Sequence, residues 1–174
     1  GFTDCLLQRG AVSVYAIDVG YGQLAWSLRQ DERVVVMERV NARYLESLPK
    51  PVGLIVSDVS FISLALIYPN AVSWLKPEGE VVSLIKPQFE ARPQKVAKGG
   101  VVRDSEVHRT VLERITIMMA ESGLELRGLM PSPLLGPAGN IEFLGWWSLG
   151  TRNDQRLCWI DCALEEAAEL RHES

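Results

Sequence analysis

The 174-residue sequence has little cysteine, little histidine and little net charge: three cysteines, two histidines and a formal balance of −4. An odd, sparse set of thiols is not a disulfide framework. Cys158 and Cys162 stand four apart, a spacing that can hold a metal, but no second cysteine or histidine pair completes such a site. The reading is reduced thiols of a cytoplasmic protein with no metal centre. His108 is expected on the exposed side of a helix and His172 in the C-terminal tail, both solvated. A slightly acidic balance excludes a globally basic nucleic-acid binder, so a nucleic-acid partner needs a local basic patch or another domain. Long apolar runs are also missing. The longest uncharged stretch, Val59 to Leu75, contains Pro69, Asn70 and three serines, and it is shorter than the ~20 apolar residues that cross a bilayer. No secretory signal pattern, internal repeat, low-complexity tract or interdomain linker is visible, and no membrane role is expected.

What is present suits one compact domain with a substantial core. Short apolar runs alternate with helical patterns. Strands are expected at Val12 to Ile17, Arg33 to Met37, Val52 to Ser57, Glu80 to Ile85, Leu124 to Leu129 and Ile141 to Leu149. Helices are expected at Gln23 to Gln30 and at Leu66 to Leu75. The clearest helix follows an Asp104 or Ser105 cap, carries Val107, Val111, Ile115 and Met118 as its stripe, and closes at Gly123. A last helix places Leu157, Ile160, Leu164 and Ala167 on one face. Alternating strands and helices predict an α/β fold, a mainly parallel sheet with helices on both faces. The unbroken apolar character of the strands agrees, since parallel strands are buried on both sides.

Ligands of such sheets bind beyond the carboxyl ends of the strands. Three strands end in a charge there, at Asp18, Asp58 and Lys86. Each has an ordinary alternative: Asp18 as a turn or cap residue, Asp58 as a helix cap, Lys86 as a solvated rim charge. Asp18 also suits a ribose, because an acid at a strand end accepts both hydroxyl protons of a nucleoside ~20 residues after a glycine turn. Gly1 precedes it by 17 positions.

A series of strings carries a more specific signal. They are Gly1-Phe2-Thr3-Asp4, Tyr15-Ala16-Ile17-Asp18-Val19-Gly20-Tyr21-Gly22-Gln23-Leu24, Asn41-Ala42-Arg43, Asp58-Val59-Ser60-Phe61-Ile62-Ser63-Leu64, Lys86-Pro87-Gln88-Phe89-Glu90, Gly99-Gly100-Val101-Val102-Arg103-Asp104 and Gly139-Asn140-Ile141-Glu142-Phe143-Leu144. In this order, from residue 1 to about 149, they resemble the TlyA (hemolysin A) family, which is related to the FtsJ-type RNA methyltransferases. The resemblance implies a Rossmann-like S-adenosylmethionine (SAM) domain and methylation of a ribose 2′-hydroxyl in ribosomal RNA, at a cytidine. It implies SAM contacts from Gly1, Phe2, Thr3, Asp18, Val19, Asn41 and Asp58. Of the Lys-Asp-Lys-Glu tetrad of related enzymes, Asp58, Lys86 and Glu142 match the last three. Asn140 lies in the same turn as Glu142. The first lysine, the first strand and a small N-terminal RNA-binding domain are expected upstream of Gly1. Residues 1–174 then form a single, N-terminally truncated methyltransferase domain.

These residue types fit the chemistry. A ribose hydroxyl is a poor nucleophile near neutrality, so a base must take its proton as it attacks the methyl group. A lysine serves once its pKa falls toward the working pH, through burial or a neighbouring cation. Acids beside it orient it and the incoming ribose. Arg92, Lys95, Lys98 and Arg103 follow Lys86 in a strand-free stretch with Glu90 as its one acid. They are expected to hold RNA phosphates, in competition with a solubilising surface loop. Trp146 and Trp147 could stack on a base, although one of them belongs in the core. Ribosomal RNA or a ribosomal subunit is the expected partner. Three other readings compete: a nicotinamide-dependent oxidoreductase, a membrane-active hemolysin, and an RNA-binding module without catalysis.

Overall fold

The computed structural model describes residues 1–150 and 155–170. Its elements run α1 (Phe2–Gln8), β1 (Val14–Asp18), α2 (Trp26–Arg29), β2 (Val34–Glu38), β3 (Val52–Ser57), α3 (Tyr68–Ala71), β4 (Leu75–Ile85), α4 (Pro87–Glu90), α5 (Ser105–Glu121), β5 (Leu124–Pro131), β6 (Phe143–Leu149) and α6 (Arg156–Leu170). All six expected strands are present. The strands form two sheets, one of β1 and β2 and one in the order β3-β4-β6-β5. β1 runs parallel to β2 and β3 to β4, whereas β6 is antiparallel to both β4 and β5. The expectation of a mainly parallel sheet is therefore corrected for the C-terminal half. There the turn-rich Ser132–Asn140 connection, without a crossover helix, can only return the chain as an antiparallel neighbour.

The larger core lies on the four-stranded sheet. Tyr68, Trp74, Val81, Ile85, Leu112, Ile115, Met119, Phe143, Trp147 and Ile160 are all buried in it. α5 and α6 pack on β5 and on each other. A separate small core, Leu7, Val14 and Val34 with Leu24 and Leu28 against them, joins α1 and α2 to the two-stranded sheet. Asp104 caps α5 by accepting the Glu106 amide. Gly123, at φ +82°, ends the turn after α5 in a conformation that favours glycine.

Several expectations are revised. The helix expected over Gln23 to Gln30 shrinks to α2, yet Leu24 and Leu28 still face the small core. The helix expected over Leu66 to Leu75 is a chain of short turns: 3-10 at Leu64–Leu66, α3, and 3-10 at Val72–Trp74. Pro69 stands in the first turn of α3, where its missing amide is tolerated. β4 starts at Leu75, five residues earlier than expected. α1 was not foreseen, because seven residues are too few for a helical period to show.

The stripes of the two long helices also turn. In α5 the buried residues include His108, Leu112 and Met119, with Met118 only partly buried. His108 is 1% exposed rather than solvated. Its ring sits edge-on to Phe143 at 5.4 Å, and its Nε2 lies 3.1 Å from the Val102 carbonyl. The stretch ending at Val102 covers this side of α5, which sequence periodicity cannot register. In α6, Leu157 is exposed and Ala163 takes its place in the core. His172 lies outside the described residues.

Candidate active site

Strand register decides which charges meet. Parallel pairing sets Ser57 of β3 against Ser83 of β4, so the residues leaving both strands emerge at one rim. Antiparallel pairing sets Ile85 of β4 against Phe143 of β6. The next step of that register places Lys86, just after β4, opposite Glu142, just before β6. Asp58, Lys86 and Glu142, taken from sequence positions far apart, thus share one edge of the sheet.

The side chains are held there. Lys86 Nζ is ion-paired with Asp58 Oδ1 at 2.6 Å and donates to Ser60 Oγ at 3.2 Å. The Lys86 side chain is 12% exposed and that of Asp58 51% exposed, so the pair faces outward from a sheltered lysine. Glu142 is buried, which rejects a water-facing strand carboxylate. Gln88 Nε2 donates to Glu142 Oε1 at 2.6 Å. Gln88 stands two residues beyond Lys86 in α4, so the amide ties the carboxylate to the lysine's own segment. Beneath them Ser57 Oγ donates to Ser83 Oγ at 2.8 Å, and the buried Tyr68 hydroxyl joins both serines. Burial raises the Tyr68 pKa, so this floor stays uncharged. Asn140 is 2% exposed, accepts the Val102 amide at 3.0 Å, and donates to the Gly100 and Pro137 carbonyls, each at 2.9 Å. It fixes the turn before Glu142 to the end of the basic stretch.

A second group lies at the matching rim of the small sheet. Asp18 ends β1 and Glu38 ends β2, paired in register. Asp18 Oδ1 accepts the Gly20 amide at 2.7 Å, and Glu38 Oε1 accepts the Gly22 amide at 2.8 Å. The Arg29 guanidinium, followed by the Gly22 and Gln23 amides, holds the Glu38 carboxyl below the usual carboxylate range. A cavity of about 200 Å³ opens here, between β1 and the Val56 side of β3. Phe2, Thr3, Ile17, Asp18, Leu24 and Glu38 help to line it. The whole of β1, Val14–Asp18, borders it, so it follows the edge of β1 that has no partner strand. Of the expected SAM contacts, Phe2, Thr3 and Asp18 line the cavity, whereas Gly1, Val19, Asn41 and Asp58 do not. Gly1 caps α1, and Val19 is 71% exposed. Asn41 caps a short turn by accepting the Arg43 amide at 3.0 Å.

Arg92, Lys95, Lys98 and Arg103 are all exposed. Trp146 is exposed on its strand and Trp147 fully buried, which divides the tryptophan pair between surface and core. No cluster that could hold a metal ion occurs among the described residues. Sequence reasoning missed Glu38, Ser60, Phe61 and the bond from Gln88 to Glu142. Glu38 was readable, since it ends an apolar strand as Asp18 does. Phe61 was not: its ring is 89% exposed, lies 4.8 Å from that of Phe89, and has a backbone φ of +63°.

Comparison with known proteins fits this geometry. The FtsJ-like methyltransferase family matches residues 1–148, and the chain belongs to that family. The chain is 53% identical over 147 residues to YqxC of Bacillus subtilis, a protein described as an rRNA methyltransferase. That match covers 83% of this chain and 52% of YqxC. It is 47% identical over 159 residues to the 16S/23S rRNA (cytidine-2′-O)-methyltransferase TlyA of Mycobacterium tuberculosis, covering 90% of this chain and 59% of TlyA. A crystal structure of a protein described as a hemolysin from Lactococcus lactis superposes with a TM-score of 0.88 at 40% identity, over 96% of this chain and 82% of that one. Solved SAM-dependent methyltransferases share the Rossmann-like fold. The chain spans 52–61% of the length of the curated relatives it matches.

Proposed function

We propose that this chain carries the catalytic site of a SAM-dependent RNA 2′-O-methyltransferase, acting on a cytidine ribose of ribosomal RNA in the cytoplasm, within a ribosomal subunit. The observation that carries the reading is Lys86, held by Asp58 and Ser60 at a sheet rim opposite the buried Glu142. Asp18, at the strand end, with Phe2 and Thr3 near it, would help to hold SAM, which would supply an activated methyl group. Only after its ammonium has lost a proton can Lys86 Nζ accept the 2′-hydroxyl proton as the oxygen attacks. Asp58 and Ser60 aim the amine, and Glu142, aimed by Gln88, orients the ribose. Alignment of this kind supplies a large share of such a barrier, of order 7–11 kcal/mol in favourable cases. Arg92, Lys95, Lys98 and Arg103 hold the phosphates on either side of the target. Cytidine and ribosomal RNA come to the reading from the description of TlyA.

The domain reading belongs to the same proposal: one methyltransferase unit that works with a further strand and an RNA-binding domain upstream. The relatives' greater length supports it. So do β1 and β3, each of which has a partner strand on one side only, with the cavity between them. No helix among the described residues is long and apolar enough to cross a membrane.

The test is tritiated-methyl transfer from SAM to isolated ribosomal subunits, with this chain, with a version extended upstream to the relatives' length, and with Lys86→Ala in each. The expected result is label on a ribose 2′-oxygen that Lys86→Ala reduces at least a thousandfold while SAM binding persists. If the extended protein binds SAM yet labels neither subunit, the reading falls. Binding of NAD in place of SAM would favour an oxidoreductase instead.

A further inference from the structure

Glu90 is the last residue of α4, the short helix that begins directly after Lys86. Its side chain is 2% exposed. One carboxylate oxygen accepts the Leu64 amide at 2.8 Å. The other accepts the Ser63 hydroxyl at 2.7 Å and the Arg114 guanidinium at 2.8 Å. Ser63 and Leu64 end the segment that starts at Asp58, and that segment supplies both partners of Lys86. Two chain segments are therefore tied at both ends. Lys86 meets Asp58 and Ser60 at the near end, and Glu90 meets Ser63 and Leu64 at the far end. Phe61 lies inside this ring at φ +63°, a conformation that an aromatic side chain rarely adopts, with its ring against Phe89. Such strain persists only where the surroundings over-determine it, and the two tied ends do so.

Burying a carboxylate is costly even when it is well paired, so net stability is a poor reason for keeping one. Burial raises the Glu90 pKa, while Ser63, the Leu64 amide and Arg114 pull it back down. We infer that Glu90 is a positioning residue for Lys86, acting through segment 58–64, which it latches so that Asp58 and Ser60 meet the lysine amine. The latch itself is a matter of contacts, and its catalytic meaning rests on the methyl-transfer reading. Arg114, half-exposed on α5, is the outer half of the latch and braces it against the long helix.

The experiment compares wild type with Glu90→Ala, Glu90→Gln, Ser63→Ala and Arg114→Ala in the upstream-extended protein. Two quantities are read. One is the acetylation rate of Lys86 by acetic anhydride, followed by mass spectrometry against the exposed Lys50 and Lys76 in the same sample. The other is kcat and KM for SAM, measured well below each variant's Tm. In Glu90→Ala, Lys86 acetylation is expected to rise at least fivefold with the reference lysines unchanged. The kcat should fall at least tenfold with KM for SAM within twofold, and Glu90→Gln should recover part of both. Wild-type reactivity and kcat in a folded Glu90→Ala protein would overturn the inference, as would a loss of kcat that merely tracks the folded fraction. Should Glu90→Ala not fold, Ser63→Ala and Arg114→Ala each remove one donor and carry the same prediction at twofold or more. A Lys86 response in a wild-type background that transfers no methyl would keep the latch and reject the methyl-transfer reading.

Discussion

Gly136 shows how closely the site is built at the level of single atoms. Its φ of −73° is open to any residue, so conformational freedom does not explain the glycine. Space does. A Cβ there would fall within the Glu142 carboxyl group, 2.6 Å from its Cδ. Gly136→Ala should push Glu142 off Gln88 while leaving the fold intact. The expected outcome is a kcat lowered on the order of tenfold to a hundredfold, the scale of an ångström misplacement, with SAM affinity unchanged by calorimetry. An unchanged kcat would mean that the position of Glu142 is immaterial. At this same scale the sequence was partly legible. Asp18, Asp58 and Lys86 could be picked out because a charge that ends a buried run stands out locally. Gln88, Ser60 and Glu90 could not, because an amide, a hydroxyl or a carboxylate in a loop looks the same whether it is solvated or bonded to a residue far along the chain.

At the level of elements, the connection between β1 and α2 is organised by Glu38 as well as by Asp18, which holds the Gly20 amide. Glu38 reaches across from β2 to the Gly22 amide and to Arg29. Its carboxyl is held below the usual range, chiefly by Arg29. A depressed carboxylate contributes order that is present above the ordinary carboxylate pKa of about 4.3 and disappears as pH falls through the lower folded value. Amide exchange at Gly22, followed by NMR, should therefore stay protected down through the usual carboxylate range and open only below it. Arg29→Ala should move that opening upward, toward the ordinary value. Helix lengths are where local reading failed most. The apolar spacing of Leu64 to Trp74 is real, and it does bury Leu64, Ile67, Tyr68, Ala71 and Trp74. The backbone beneath it is nonetheless a run of short turns, which the spacing of apolar residues does not distinguish from one helix.

Across the whole molecule, charge is distributed against its sum. The chain is acidic by four charges, yet the stretch after Lys86 exposes Arg92, Lys95, Lys98 and Arg103 with Glu90 turned inward. If these four meet phosphates, RNA affinity should fall with salt at a slope of about −0.7 per contact for single-stranded RNA, or −2.8 in all. Lys95→Ala with Lys98→Ala should flatten that slope by about 1.4 units, measured by filter binding at several salt concentrations. A slope that stays the same would assign RNA contact to another surface.

The sequence by itself determined the alternation of strands and helices, the identity of the strand-end charges and, through its ordered motifs, the family. These are local properties: a run of apolar residues, the charge that stops it, a turn of fixed composition. Tertiary structure alone decided that Lys86 meets Asp58 at 2.6 Å and that Glu142 is reached through Gln88. It also decided that His108 is buried. The first two follow from strand order and register, with β4 set between β3 and β6, and the burial of His108 from the stretch ending at Val102. Order and register are settled by which faces bury together, and no window of sequence contains that information.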